Sequence, residues 1–456
     1  MNKEVKKPAL SGAEGIVPEL RFPEFESDGS WVQKPLIATA DKKVKWSFTG
    51  GPFGSNLKAS DYTESGFRII QLQNIGDGEF NDDSKIFTSL EKANELLSCN
   101  IYAGDIIISK MGDPVGRACI IPTHLERCVM ASDGIRLAVD EKNYSKYFVF
   151  SLINSKPIRK AIESKSTGST RKRIGLNDLK EVQLTIPKNP KEQQKIADCL
   201  SSLDGVITAE TEKLDLLQDH KKGLLQQLFP AEVDVTLSGV EGQPNYRFPE
   251  FKEDGDWVEV VVDDDFEVCS SKRVLQQDWI QEGVPFYRTR ELVSLSKNEP
   301  FGSEIFISES LFQKLSKKYG VPKMGDFLVS GVGTLGILYQ VKENDKFYFK
   351  DGNVIWFKTG QNISSDYFKY CFQTQFVQKQ IFSQSSASTV GTYTISNARK
   401  TKFWKPINNE EQQKIAACLS AADDLLEAQT KKIEALQEHK KGLLQHLFPN
   451  LNEVAV

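Results

Sequence analysis

A long helical segment that occurs twice constrains the fold of this chain more than any other feature. Residues 191–229 return almost unchanged at 410–448, with an offset of 219. The preceding string Arg21-Phe22-Pro23-Glu24-Phe25, with Trp31, returns as Arg247-Phe248-Pro249-Glu250-Phe251, with Trp257, at an offset of 226. The chain therefore contains two copies of one unit, each a globular segment followed by a helix. Such a molecule suits a partner that is itself two-fold or bipartite.

Apolar residues at spacings of three and four form one stripe along each repeated helix, which is typical of a heptad seam. The stripes consist of Ile196, Leu200, Leu203, Ile207, Leu214, Leu217, Leu224 and Leu228 in the first helix, and of Ile415, Leu419, Ala422, Leu426, Ile433, Leu436, Leu443 and Leu447 in the second. Polar residues interrupt both stripes at matching places, Glu210 with Lys221 and Gln429 with Lys440. We assign Glu210 and Gln429 the role of fixing the register, since a polar group in a seam costs stability but selects one pairing.

The simplest partner for each helix is the other copy, and an antiparallel pair places the globular segments at opposite ends. The predicted fold is therefore α+β, with two globular domains, a pair of long antiparallel coiled-coil helices between them and a pseudo-two-fold internal repeat. A helix of about 37 residues is about 55 Å long, which exceeds one turn of duplex DNA. The predicted divisions are a tail at 1–17, a domain at 18–186, a helix at 187–230, a linker at 231–243, a domain at 244–405, a helix at 406–450 and a tail at 451–456.

Composition and cysteine usage exclude several classes of protein. Hydrophobic content of 39% and charged content of 26% are those of a soluble protein with real cores. No apolar run reaches membrane-spanning length and the polar start lacks the apolar segment of a signal peptide, so we expect a cytoplasmic protein. The 7 cysteines and 4 histidines are scattered, without a Cys-x-x-Cys string, which indicates reduced thiols rather than disulfides or a zinc site.

The net charge of −4 is unevenly distributed. Residues 231–267 carry twelve acidic and two basic side chains, a local −10, so the rest of the chain is positive. Residues 156–173 carry seven basic and one acidic side chain, and residues 369–405 carry six basic and no acidic ones. Each basic stretch taken alone is more typical of a solvated face. Because both close their globular segment at equivalent places in the repeat, together they favour a polyanion-binding surface.

Glycine-rich strings and scattered aspartates raise the question of an active site. Gly112-x-x-x-Gly116 follows a strand-like segment but lacks the lysine of a phosphate-binding loop. Asp105, Asp113 and Asp133 could form a metal-binding trio, yet Asp105 and Asp133 fall in the recurring Gly-Asp and Asp-Gly strings. We interpret these strings as structural turns. No catalytic residues and no metal site are assigned.

Residues able to contact DNA are abundant in the loops of both domains. Arginine and lysine suit guanine, asparagine and glutamine suit adenine, and basic runs suit phosphates. Each residue alone is more often a solvated surface residue than a base contact. The candidates in the first domain are Ser55, Asn56, Lys58, Gln71, Gln73, Asn74, Lys110, Arg117, Arg171, Lys172 and Arg173. The candidates in the second are Lys272, Arg273, Arg288, Arg290, Thr334, Thr392, Tyr393, Arg399, Lys400 and Lys402.

Together these features resemble the specificity subunit of type I restriction-modification systems, from about Val17 to Pro449. The marks are the two repeated helices and the landmarks Gly104-Asp105-Ile106-Ile107-Ile108-Ser109 with Asp133-Gly134, repeated as Gly325-Asp326-Phe327-Leu328-Val329-Ser330 with Asp351-Gly352. One departure is that the Gly50-Gly51-Pro52 loop has no clear equivalent near Cys269 to Arg273.

The resemblance implies two target-recognition domains that each read one half of a bipartite, asymmetric site in double-stranded DNA, with the helices setting the spacer. It also implies docking of two methylation subunits and of restriction subunits that translocate and cleave DNA. S-adenosylmethionine, ATP and Mg²⁺ are then expected only in those partner subunits, and no cofactor in this chain. Two alternatives stay open: a DNA-modifying enzyme with its own active site, and a coiled-coil scaffold without DNA specificity.

Overall fold

The computed structural model describes residues 16–169, 171–230, 242–297, 299, 305–385 and 391–449. The predicted tail at 451–456, nearly all of the tail at 1–17 and most of the linker at 231–243 lie outside these residues. The helices are α1 Leu90–Glu95, α2 Lys146–Asn154, α3 Lys156–Ser164, α4 Leu176–Lys180, α5 Pro190–Leu228, α6 Val262–Asp265, α7 Thr289–Ser296, α8 Glu309–Tyr319, α9 Ser365–Cys371, α10 Gln375–Ser385, α11 Ile395–Lys400 and α12 Asn409–His446.

The strands are short and fall into two series that repeat one another. They are β1 Val32–Pro35, β2 Phe48–Gly50, β3 Tyr62–Thr63, β4 Phe67–Ile70, β5 Ile86–Thr88, β6 Asn100–Tyr102, β7 Ile106–Ser109, β8 Ala118–Ile120, β9 Arg127–Met130, β10 Gly134–Leu137, β11 Gln183–Ile186, β12 Val258–Val261, β13 Phe266–Cys269, β14 Trp279–Ile280, β15 Val284–Tyr287, β16 Phe306–Ile307, β17 Phe327–Ser330, β18 Leu338–Gln340, β19 Tyr348–Phe349, β20 Val354–Thr359 and β21 Lys402–Lys405.

The chain divides into two compact units, and each long helix contributes to both. The first unit contains residues up to Thr211 together with those from Lys431 onward, and the second contains Glu212–Thr430. Each unit therefore combines one globular domain, the first part of its own following helix and the last part of the other long helix. The sequence predicted the duplication, but it did not predict that each unit would contain parts of both long helices.

The first unit has three sheets, and the described strands of the second repeat their order except that β6 has no counterpart. In the first unit the orders are β2-β10-β7-β8, β3-β5-β4-β9-β6 and β1-β11. In the second they are β13-β20-β17-β18, β14-β16-β15-β19 and β12-β21. All pairs are antiparallel except β4 with β9 and β15 with β19, which are parallel. The α+β class and the internal repeat predicted from the sequence are confirmed.

The Gly-Asp-Ile/Phe-x-x-Ser landmarks form the central strands of the four-stranded sheets. Both strands are buried along their whole length, which is why they are apolar at consecutive positions. Alternate side chains enter different cores, so that Ile106 and Ile108 pack with the helices whereas Ile107 packs against the five-stranded sheet. In the second unit Phe327 and Val329 likewise pack in one core and Leu328 packs in another.

Side-chain burial along both long helices follows the stripe named from the sequence. Every seam residue named from the sequence is buried or half-buried, while intervening apolar residues such as Val206 and Leu216 are exposed. Within the first unit the two helices run antiparallel, because Asp204 lies beside Lys440 at 2.5 Å and Glu210 beside Lys432 at 2.7 Å. Within the second unit Lys221 lies 2.5 Å from Asp423.

The seam lysines and their aspartates form a repeated cluster that links helix to domain. Asp423 also accepts a hydrogen bond from the Tyr370 hydroxyl at 2.8 Å. The equivalent Asp204 accepts one from Tyr147. The polar breaks at Lys221 and Lys440 are therefore sites of specific pairing. Glu210 has a partner on the second helix, in keeping with the register role assigned to it.

The repeated Arg-Phe-Pro-Glu-Phe segment, with its tryptophan, binds the start of the repeated helix in each unit. Glu192 is 1% exposed and accepts hydrogen bonds from Arg21 Nε and Nη2, both at 2.8 Å, and from Trp31 Nε1 at 3.1 Å. Glu411 does the same with Arg247 and Trp257 at the same three distances. Each domain is thus fastened to the start of its following helix by a buried carboxylate.

Candidate nucleic-acid interface

Most of the first domain's candidates meet where the loops of two sheets converge. We call residues 51–58, 71–74, 110–117, 131–134, 167–169 and 171–173 the first loop edge. Backbone hydrogen bonds join these loops: Gly51 N to Gly134 O at 2.8 Å, Lys110 N to Asp133 O at 2.7 Å and Gly112 N to Lys172 O at 3.0 Å. Residues separated by more than a hundred positions in the sequence therefore form one rigid rim.

A cleft of about 280 Å³ opens on this edge, lined by loop 52–57, by Gln71 to Gln73 and by residues 131–133. Ser55, Asn56, Lys58 and Gln73 are exposed, and Gln71 is half-buried. Gln73 Nε2 donates to Gln71 Oε1 at 3.2 Å, which orients both amides at the wall of the cleft. The arrangement presents neutral donors and acceptors inside a basic rim.

The basic side chains of the first loop edge differ in how much of their charge is compensated. Arg173 lies 3.8 Å from Asp133 and contacts the Met111 sulfur, and it is half-exposed. The hydrogen bond with Glu163 raises the pKa of Lys172, so this ammonium stays charged and paired. Lys110 and Arg117 are partly buried, and the Nε of Arg117 has no hydrogen-bond partner in the described part of the chain.

The second domain forms an equivalent edge. We call residues 270–275, 287–290, 331–336, 350–353 and 391–393 the second loop edge. It is joined by Gly331 N to Asn353 O at 2.9 Å, Lys350 N to Tyr287 O at 2.8 Å and Tyr393 N to Gly331 O at 2.9 Å. Lys272 and Thr334 are exposed on it, and Thr392 pairs with Val332. The Gly-Gly-Pro loop of the first domain thus has a positional equivalent in loop 270–275, although its sequence differs.

Arginines of the second loop edge are held by carboxylates, of which Glu291 is buried. Arg288 Nη2 and Arg290 Nε each lie 2.6 Å from Glu291 Oε1, and Glu291 is 3% exposed. Burial alone raises the pKa of Glu291, but the hydrogen bonds from Arg288 and Arg290 outweigh it and lower the pKa to about 2. Arg273 donates to Asp351 at 2.8 Å. These contacts fix the guanidinium groups before any ligand arrives.

Two candidates are wrong as base contacts because their side chains are buried. Asn74 is 1% exposed, accepts from Gln71 N at 3.0 Å and donates to Asn81 O at 2.8 Å. Tyr393 is 1% exposed and its hydroxyl bonds Thr401 at 2.6 Å. Both shape the loops from beneath. The sequence could not separate them from surface residues, because polar side chains in loops serve either purpose.

The basic run at Arg399, Lys400 and Lys402 does not lie on the second loop edge. Arg399 pairs with Asp263 at 3.4 Å, and Lys402 pairs with Glu259 at 2.6 Å, where β21 joins β12. The position equivalent to Arg173 is occupied by Thr392. Arg173 forms a β-bridge with Met111 after β7, and Thr392 forms one with Val332 after β17. The predicted equivalence of the two basic stretches is wrong, because the second run lies beside β12, where Asp263 pairs with Arg399 and Glu259 pairs with Lys402.

The structure confirms that the recurring Asp105 belongs to a structural turn. Gly104 and Gly325 have φ of +81° and +86° and reverse the chain before each central strand. Asp105 then accepts from Arg136 at 2.7 Å and from Tyr102 N at 2.9 Å. Burial raises its pKa. Asp133 lies on the first loop edge instead, and Asp113 is exposed.

Sequence reasoning missed Phe53 and Glu291. Phe53 is 83% exposed at the mouth of the cleft, and its aromatic type gave no sign of that exposure. Glu291 follows two arginines within four residues, and this spacing is the signal that could have identified the cluster.

The fold contains two domains with the same arrangement of strands around the central strand, and each ends in a loop edge with its own set of side chains. A family model described as the type I restriction modification DNA specificity domain matches residues 57–219 and again residues 254–438. The chain therefore belongs to the type I restriction-modification specificity subunits and carries their domain twice.

Several known proteins are similar to the chain over most of its length. The protein of Methanocaldococcus jannaschii assigned as the MjaX specificity subunit of a type I restriction enzyme is 22% identical over 399 residues, 84% of this chain and 86% of that protein. The MjaVIII specificity subunit of the same organism is 24% identical over 361 residues, 76% of each. The crystal structure of a type I system S subunit from M. genitalium covers 96% of this chain and 100% of its own, with 17% identity and a TM-score of 0.55, and shares the fold.

None of the helices in the described part of the chain is both long enough and apolar enough to cross a bilayer.

Proposed function

We propose that this chain is the non-catalytic DNA-reading subunit of a type I restriction-modification complex, with each loop edge recognising one half of a bipartite, asymmetric site. The observation that carries the proposal is the convergence of separate loops on one edge of each domain. Each edge combines exposed polar groups with basic side chains. Base-edge readout needs the first kind of group and phosphate anchoring needs the second.

The difference between the two edges supports an asymmetric site. The first edge offers Gln71, Gln73 and Asn56, which suit adenine, whereas the second offers Arg288 and Arg290, which suit guanine. Both edges rest on a four-stranded sheet with the same order of strands, β2-β10-β7-β8 in the first unit and β13-β20-β17-β18 in the second. One scaffold with different side chains at its loops is what two unlike half-sites require.

The long helices are proposed to set the spacer and to dock two methylation subunits. With 39 residues α5 is about 58 Å long, more than one turn of duplex DNA. The proposed complex also includes restriction subunits. S-adenosylmethionine, ATP and Mg²⁺ would be bound by the partner subunits, and a cytoplasmic location follows from access to DNA.

Mapping methylated adenines in cells that carry this chain and its methylation partner tests the proposal. The expected result is one bipartite motif with a fixed gap. Exchange of residues 18–186 for another family member's domain should change one half of the motif only. A matched exchange of residues 244–405 should change the other half.

Three outcomes would contradict the proposal. Exchange of one domain that altered both halves would refute separate readout. Binding of S-adenosylmethionine or cleavage of DNA by the isolated chain would favour an enzyme. DNA binding that depended on neither sequence nor salt would favour a scaffold.

A further inference from the structure

Phe53 is the most exposed of the large apolar side chains that the structure describes, at 83%. Single exposed apolar residues are common on protein surfaces and require no special explanation. Phe53 differs because it stands on a loop whose base is rigid and lies among the groups proposed to read DNA.

The base of the loop is fixed by close backbone packing. A Cβ atom at Gly51 would lie 1.8 Å from the carbonyl oxygen of Ala131, so the loop can approach its neighbour only with glycine at this position. Pro52 is buried, and Asn56 N donates to Phe53 O at 2.8 Å, which closes the turn. The ring is therefore held in solvent by the loop itself.

The cleft beside the ring presents a specific hydrogen-bonding pattern. Phe53, Gln71 and Gln73 line it together. Gln73 Nε2 donates to Gln71 Oε1 and to Ser84 Oγ, whereas the amide nitrogen of Gln71 and the side-chain carbonyl oxygen of Gln73 have no protein partner among the described residues. These two atoms are one donor and one acceptor. The major-groove edge of adenine presents the complementary pair, the N7 acceptor and the N6 donor.

Thymine completes the pattern, because it alone of the four bases carries an apolar methyl group in the major groove, and phenylalanine is one of the residues that contact it. We propose that Phe53 packs on a thymine 5-methyl group while Gln71 and Gln73 read adenine, which makes an adenine–thymine element part of the first half-site. This inference rests on the proposed DNA-reading function. Basic side chains nearby, Lys110 and Arg173, supply the charge that holds the duplex against the edge.

The second unit gives an internal comparison. Its equivalent loop, residues 270–275, carries Lys272 and Arg273 in place of an aromatic residue, and Arg273 is bound to Asp351 at 2.8 Å. The thymine contact is therefore assigned to one half-site only.

The test uses the full chain with its methylation partner and a pool of duplexes of randomised sequence, from which the wild-type target is selected. The selected duplex is then made with deoxyuridine in place of thymidine at each position in turn. We expect one substitution in the first half-site to weaken binding about fourfold, the effect of burying one methyl group. The Phe53→Ala variant should bind the two duplexes equally. Leu90→Ala, a change at an exposed apolar residue that does not line the cleft, should keep the fourfold difference.

Two results would overturn the inference. In the first, the wild-type chain binds every duplex with deoxyuridine in the first half-site as tightly as it binds the thymidine duplex. In the second, the Phe53→Ala variant keeps the fourfold difference. An unchanged melting temperature for Phe53→Ala separates a lost contact from lost folding, and Phe53→Leu should restore part of the difference. A wild-type chain that selects no sequence at all would instead refute the proposed function.

Discussion

The buried Glu192 allows a sharp prediction about how each domain is fastened to its helix. Glu192→Gln removes the charge that compensates Arg21 and turns one of the accepting oxygens into a donor. The three hydrogen bonds to Arg21 and Trp31 are within 3.1 Å, and the Arg21 side chain is 10% exposed. Breaking a buried, hydrogen-bonded ion pair from one side costs about 3 kcal/mol or more, because the remaining charge is left uncompensated.

The expected change in thermal stability follows from the size of the unit. A loss of about 3 kcal/mol lowers the melting temperature of a unit of this size by about 6–12 °C. Hydrogen exchange of the full chain, followed by mass spectrometry, locates the effect. Protection should fall in peptides that contain Trp31 and the start of α5.

Matched variants control for the loss of a carboxylate as such. Glu24→Gln alters an exposed partner of Lys195 in the same segment and should leave protection unchanged. Glu411→Gln breaks the equivalent cluster and should move the loss of protection to the peptides of the second unit. The reasoning is refuted if Glu192→Gln behaves like Glu24→Gln, or if it lowers protection equally in all peptides.

Three further predictions concern the helices and the two edges. Asp204→Asn leaves the ammonium of Lys440 unpaired in the seam and should destabilise the first unit by about 1 kcal/mol in urea titrations. Asp198→Asn on the exposed face should have no effect, and equal losses of stability in the two variants would refute the pairing role. Lys110→Ala should weaken binding to all DNA sequences alike and reduce the slope of log K against log salt by about 0.9, and an unchanged slope would remove this residue from the phosphate contacts. The pKa of Glu291, lowered to about 2 from an ordinary 4.5, makes the ionised carboxylate stabilising above pH 4.5. About 3 kcal/mol of the free energy of unfolding should be lost as the pH falls from 5 to 2. Glu291→Gln should flatten this pH dependence in acid-unfolding curves.

The helical pattern was predictable because it is local. Heptad spacing places apolar residues on one stripe whatever the partner is, so the seam from Ile196 to Leu228 could be assigned from the sequence. The turns before β7 and β17 were also predictable, since glycine with positive φ followed by aspartate is a local arrangement. Repetition strengthened each assignment, because two copies had to satisfy the same structure.

The composition of the recognition edges could not be predicted in the same way. Asn74, Gln71 and Gln73 lie within four residues, yet only Asn74 is buried. Its burial depends on contacts with residues 81 and 84, which the local sequence does not reveal. The neutralisation of Lys402 by Glu259 likewise joins positions 143 residues apart.

The amino-acid sequence by itself determined the duplication, the paired helices and the α+β class, because these depend on periodicities of a few residues and on the repeat. Only the tertiary structure decided that each unit takes a helix end from both copies, that Glu192 and Glu411 fasten domain to helix, and which loop residues face solvent. Those features arise where strands and loops far apart in the chain meet, and side-chain burial there is set by neighbours in space rather than by neighbours in sequence.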